Sequence, residues 1–163
     1  MIASSAAPTA AALLASARVR LAGAPREPLG DWASSRRLLG FGRAPRIVPV
    51  DEVWHLGVLL LGDSAVYATG EVLRAREDVV RGFTAQSQRE RAERAAAAFR
   101  GGFPDGATVH VGWTELDVAA VDAGGRSGPL DGANGILTVR WSAAAAPRAL
   151  ADYLDDLLTL AGR

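Results

Sequence analysis

VWHLGVLLL at positions 53–61 and AVYATGEVL at 65–73 are two apolar-rich runs separated only by Gly62-Asp63-Ser64. Turn residues between two such runs predict a β-hairpin, and this hairpin decides the fold class. Trp54, Leu56, Val58 and Leu60 form one apolar face of the first run, and Val66, Ala68, Gly70 and Val72 form the corresponding face of the second. A sheet with one buried side puts both sets on that side. This register pairs Trp54 with Val72 and Leu60 with Val66. On the other face it sets His55 against Glu71, Gly57 against Thr69 and Leu59 against Tyr67.

Upstream of the hairpin, residues 9–21 read as a helix, with Thr9 as cap and Leu13, Leu14, Ala17 and Leu21 at helical spacing. The Gly- and Pro-containing stretch 22–31 reads as a loop. Asp31 then caps a short helix over Trp32–Leu39, and 40–46 is irregular. Downstream, 74–83 is a connection. Residues 85–100 read as a helix capped by Thr84, with Ala92, Ala95, Ala96 and Phe99 as its buried stripe. Arg89 with Glu93 and Glu90 with Arg94 stand at the i,i+4 spacing of intrahelical ion pairs.

Three strands are expected next, at Thr108–Trp113, Leu116–Val121 and Gly135–Ser142, the last two joined by the glycine-rich segment Asp122–Asn134. Pro147 opens a final helix. Leu150, Tyr153, Leu154, Leu157, Leu158 and Ala161 share one of its faces, and Asp152, Asp155 and Asp156 lie opposite. The expected architecture is α+β: a mostly antiparallel five-stranded sheet packed by helices, in the order α-(α)-ββ-α-βββ-α. That order resembles the roadblock and longin-type folds. The resemblance is one of element order over most of the chain, and it implies a fold without a function. The 163 residues fit a single α+β domain, with 1–46 as an N-terminal helix plus an irregular Arg-rich arm and 47–163 as the sheet and helix core.

Composition narrows the chemistry. There is no Lys and no Cys, so all eighteen basic side chains are Arg. This excludes a Schiff-base amine, a thiol nucleophile, thiolate metal ligands and a phosphate-loop lysine. A GC-rich genome accounts for the Arg-for-Lys bias. The absence of cysteine fits a reducing, cytoplasmic setting. The longest candidate membrane run, Ala10–Ala17, is far short of the ~20 apolar residues that span a bilayer. The net charge of zero argues against a nucleic-acid binder. Its distribution is uneven: seven Arg against two acids over 1–50 give +5, and four Arg against eight acids over 101–163 give −4. That asymmetry suits contact within the chain or between subunits.

Two constellations are candidates for function. The first is the polar side of the sheet. His55 and Glu71, opposed at about 4.5–5.5 Å between Cβ atoms, would be joined there by His110 and Asp117 if all the strands share one sheet. Two imidazoles and one or two carboxylates could hold a divalent metal or act as a general-base pair. The second is Arg36, Arg37, Arg43 and Arg46, which surround Gly40-Phe41-Gly42 and could grip an anion or dock on an acidic neighbour. No Gly-x-Ser-x-Gly elbow is present, Gly40-Phe41-Gly42 lies in the wrong context for a dinucleotide loop, and no metal or cofactor is implied. The leading expectation is a non-enzymatic interaction or assembly module acting as a homodimer. The alternatives are a small-molecule-binding protein or enzyme using the His/carboxylate face, and an anion-binding module.

Overall fold

The computed structural model describes residues 6–33, 44–77, 82 and 85–162. In chain order the elements are α1 (Ala10–Arg20), β1 (Glu27–Trp32), β2 (Ile47–Leu56), β3 (Leu59–Leu61), β4 (Val66–Ala68) and β5 (Glu71–Arg74). They continue with α2 (Gln86–Arg100), β6 (Thr108–Val111), β7 (Thr114–Glu115) and α3 (Val118–Asp122). The strands β8 (Arg126–Ser127), β9 (Leu130–Asp131), β10 (Thr138–Val139) and β11 (Arg148–Ala149) lead into α4 (Leu150–Ala161). The chain is α+β, and its contacts divide it into two compact units.

The first unit comprises Met1–Pro25, Trp54–Ala68 and Thr114–Arg163. Ala10, Leu14, Ala17 and Leu21 of the α1 segment share one apolar core with Leu150, Tyr153, Leu154 and Leu158 of α4. As the sequence predicts, Thr9 caps α1, its side chain accepting from Ala12 N. The other amides at this end are served from far along the chain: Asp122 accepts from Ala10 N at 2.6 Å and from Ala11 N at 3.1 Å. α4 buries Leu150, Tyr153, Leu154 and Leu158 and exposes Asp152, Asp155 and Asp156, as its amphipathic pattern requires. It begins at Leu150, because Arg148 and Ala149 first pair with β10.

The hairpin is present, but its register differs from the expected one. Gly57 adopts a left-handed φ of +60° and breaks the first run, so β2 folds back at once onto β3. His55 therefore faces Leu60, and Trp54 faces Leu61. The next turn pairs Leu61 with Val66 and Leu60 with Tyr67. It is closed by Gly62 N donating to Ala65 O at 2.9 Å and braced by Arg18, whose Nε donates to Gly62 O at 2.7 Å. The even register rested on one buried face. Leu59, Leu60 and Leu61 are buried on both, so alternation no longer sets the register.

The second unit comprises Arg26–Val53 and Thr69–Trp113. Its ladder runs β5-β6-β1-β2 and is antiparallel except for β1 beside β6. Leu73, Ala75, Val109, Val111, Ile47 and Phe103 pack with Ala97 and Ala98 of α2. The run 65–73 is split into β4 and β5 near Gly70, where an added Cβ would meet Gly112 O at 2.3 Å. Only a glycine allows that backbone approach.

β2 lends Ile47–Val53 to this ladder and Trp54–Leu56 to the first unit's β2-β3-β4-β7 ladder. Counted once, these strands number seven where five were expected, and the first unit adds a small sheet in the order β11-β10-β9-β8. The roadblock and longin-type order is not confirmed. Three further elements depart from expectation. The stretch read as a loop at 22–31 contains most of β1, because Glu27–Leu29 find partners in Val53–Asp51. Trp32 ends that strand instead of opening a helix, and 34–39 lie outside the described residues. The expected strand Leu116–Val121 is mostly the short helix α3, since the Asp117 side chain accepts from Ala120 N and starts a helical turn. Thr84, the expected cap of α2, also lies outside the described residues.

Candidate functional site

Two of the residues singled out from the sequence, Asp117 and Glu71, have structural duties. Asp117 is the cap of α3, its Oδ1 accepting from Ala120 N at 2.9 Å. His55, exposed in the first unit, has Nε2 2.9 Å from Gly57 O. Glu71 opens β5 in the second unit and pairs in register with Val111, so its side chain lies on the α2 side of the sheet. There Arg94 grips it: Nη2 donates to Oε1 at 3.1 Å, and Nε stands 2.9 Å from Oε2. The expected Glu90–Arg94 pair is thus replaced by one between helix and strand, and Glu90 accepts instead from Gln86.

His110 is next to Val111 on β6 and so points to the opposite face from Glu71. It is fully buried, between Val72 of β5 and Leu29 of β1 in register. The carboxylate that reaches its Nε2 is that of Glu27 on β1. Sequence reading missed Glu27 because it stands between two prolines near glycines, a composition read as loop. The register with Val53 that makes it a strand residue is a long-range effect. Of the second constellation, Arg36, Arg37 and Arg43 lie outside the described residues. Arg46 leads into β2, its carbonyl accepting from Ala33 N at 2.8 Å.

An arrangement that no motif announced lies at the outer edge of β5, which is the terminal strand of its ladder. Its backbone orientation follows from two hydrogen bonds. Ala75 N donates inward, to Ala107 O at 2.9 Å, and Arg76 N donates outward, to Ala95 O of α2 at 3.1 Å. Alternation along an extended strand then turns the N–H and C=O groups of Val72 and Arg74 outward as well. Among the described residues no strand pairs with them.

Beside this edge runs a groove of about 580 Å³ between β5 and α2, lined by Val72, Leu73, Arg74, Arg76, Gln88, Arg91, Ala92 and Ala95. Leu73, Ala92 and Ala95 supply apolar surface, and the three guanidinium groups supply charge. Arg76 Nη1 is 3.5 Å from Asp105. Among the described residues Arg74 and Arg91 form no ion pair, and both are exposed. Val72, on the strand itself, is 48 % exposed. Exposed edge strands are usually blunted by charge, a bulge or a cover. Here the charge is all positive and borders a trough.

Comparison with family models, with curated proteins and with solved structures finds no match for this chain.

Proposed function

We propose that the chain is a non-enzymatic interaction module that takes an extended segment of a partner along the outer edge of β5. One observation carries the reading: the outward-facing backbone of Val72 and Arg74 borders a groove between strand and helix. Main-chain pairing to a sheet edge supplies affinity without a fixed sequence, and the neighbouring groove selects side chains. Glu71 and Asp117 support it from the other side, since ion pairing and helix capping occupy the two carboxylates that the sequence offered for catalysis. The cysteine-free composition supports a cytoplasmic setting, and among the described residues no helix is long and apolar enough to cross a membrane.

Val72→Pro tests the proposal. Proline is tolerated in an edge strand where its missing N–H faced outward, so the variant should fold while losing one edge donor. A display library of random heptapeptides selected on the wild type should yield extended binders that the variant fails to retain. Equal retention by both proteins, or no enrichment at all, refutes the reading. Homodimerisation is a second form of the same function, favoured by Trp32 and Val50, each about half exposed on β1 and β2. A mass near 17 kDa at every concentration in light scattering would exclude it.

A further inference from the structure

We infer that the occupant of the β5–α2 groove is an acidic, extended peptide segment that alternates carboxylate and aliphatic side chains. This inference rests on the edge-pairing function proposed above and names its ligand. The backbone sets the pattern. A strand added to the outer edge of β5 pairs with Val72 and Arg74 through N–H and C=O groups that no strand among the described residues takes up. Side chains opposite each other in a sheet point to the same face. Leu73 is in register with Val109, which belongs to the apolar core with Ala97 and Ala98 of α2. The ligand residue opposite Leu73 therefore points toward α2, over the Leu73, Ala92 and Ala95 surface, and an aliphatic group fits there. Its two neighbours point to the other face, one of them directly across from Arg74. A carboxylate at that place meets a guanidinium at cross-strand distance.

The remaining charges agree. Arg76 and Arg91 line the same groove, and no acidic side chain is among its described lining residues. Of the nearby acids, Glu71 is already held by Arg94, Glu90 accepts from Gln86, and Asp105 accepts from Arg76 and from Glu77 N. A basic segment would meet three guanidinium groups with no counter-charge in the described lining. A second copy of β5 is disfavoured for the same reason, since antiparallel pairing of two such edges would bring two sets of Arg74, Arg76 and Arg91 together. A free fatty acid or other anionic amphiphile could use the charge and the apolar floor but would leave the backbone groups of Val72 and Arg74 unpaired.

The probes are three fluorescein-labelled, end-blocked hexapeptides that alternate valine with glutamate, glutamine or lysine, measured by fluorescence anisotropy against the full chain. The glutamate peptide should bind about tenfold more tightly than the glutamine peptide at low salt, and the difference should shrink as ionic strength rises. The lysine peptide should bind most weakly. Arg74→Glu combined with Arg91→Glu should invert the order and favour lysine, with an unchanged circular dichroism spectrum. Val72→Pro should weaken the glutamate peptide while leaving all the arginines in place. Equal binding of the glutamate and glutamine peptides, with Val72→Pro weakening both, overturns the acidic assignment and leaves edge pairing standing. Glutamate binding that Val72→Pro leaves untouched overturns edge pairing and reduces the groove to a charge patch. Concentration-dependent self-association abolished by Val72→Pro puts a second copy on the edge and overturns the assignment.

Discussion

Replacing Tyr153 with Phe removes one oxygen that serves two backbone groups. Tyr153 is buried on α4, its hydroxyl accepting from Val58 N at 2.8 Å and donating to Leu56 O at 3.2 Å. Those groups flank Gly57, at the tight turn from β2 to β3. Phe keeps the ring packing but leaves a donor and an acceptor without their partner, a loss of about 1–3 kcal/mol. Gly57→Ala attacks the same turn from the other side. Its φ of +60° costs an L-residue about 1–2 kcal/mol, and the new Cβ would fall 2.0 Å from the Tyr153 hydroxyl. The tyrosine must then move, so the alanine variant has already lost both hydroxyl bonds.

The two substitutions should therefore not add. In urea unfolding, the double variant should be more stable than the sum of the single losses requires, by about 1–3 kcal/mol, most of the Tyr153→Phe cost. The folded double variant also escapes the worst clash, because the next ring atom, Cζ, stands 3.1 Å from the added Cβ. Unchanged slopes of the unfolding transitions would confirm that the compared states are the same. Additivity to within about 0.5 kcal/mol would refute the argument that one hydroxyl fixes this turn.

Leu154→Ala, in the core shared by α1 and α4, should cost about 2–5 kcal/mol by denaturant midpoint, and an unchanged midpoint would make that packing peripheral. Asp122→Ala should cost about 1–2 kcal/mol by taking the acceptor from Ala10 N and Ala11 N, with faster hydrogen exchange at the start of α1 as its signature. The Asp131 carboxyl is held below its ordinary pKa, first by the Ala133 N–H it accepts and then by Arg126 and Arg140, with partial desolvation opposing. Because the folded value is the lower one, its stabilising contribution is present above the unfolded carboxyl's pKa and fades as pH falls through the folded value. A carboxyl-carbon NMR titration should place Asp131 below free aspartate, and Asp131→Asn should flatten the acid limb of the stability profile. A titration at or above the free value would contradict that bonding.

The elements legible in the sequence were those whose own side chains decide them. α4 carries its apolar face and its three aspartates at helical spacing, and α1 carries Thr9 as its cap. The turn at 62–65 lies where the glycine and polar residues indicated. What escaped depended on distant partners. β1 is a strand because Val53–Asp51 and His110 lie beside it, although its own Pro28 and Gly30 argue for a loop. α3 is a helix because Asp117 caps it, although Val118 and Val121 favour a strand. The hairpin register failed where Leu59–Leu61 are buried on both faces and carry no alternation. At the candidate sites, the carboxylate beside His110, Glu27, comes from the unexpected strand. The β5 groove left no motif, because its defining groups are the backbone N–H and C=O of Val72 and Arg74, and every residue type has those.

The segment composition of the two units has a consequence during synthesis. Every segment of the second unit has emerged once Trp113 has left the ribosome. The first unit includes α1, made before the second unit, and must wait for α4, made after it, because Leu14 and Leu21 share a core with Leu150, Leu154 and Leu158. Until α4 is made, the apolar side of α1 has none of those partners. Such long-range closure is slow and leaves surface open to aggregation. A nascent chain stalled before α4 is therefore expected to engage chaperones through the α1 segment, and truncation ahead of Leu150 should harm yield more than the loss of one helix suggests.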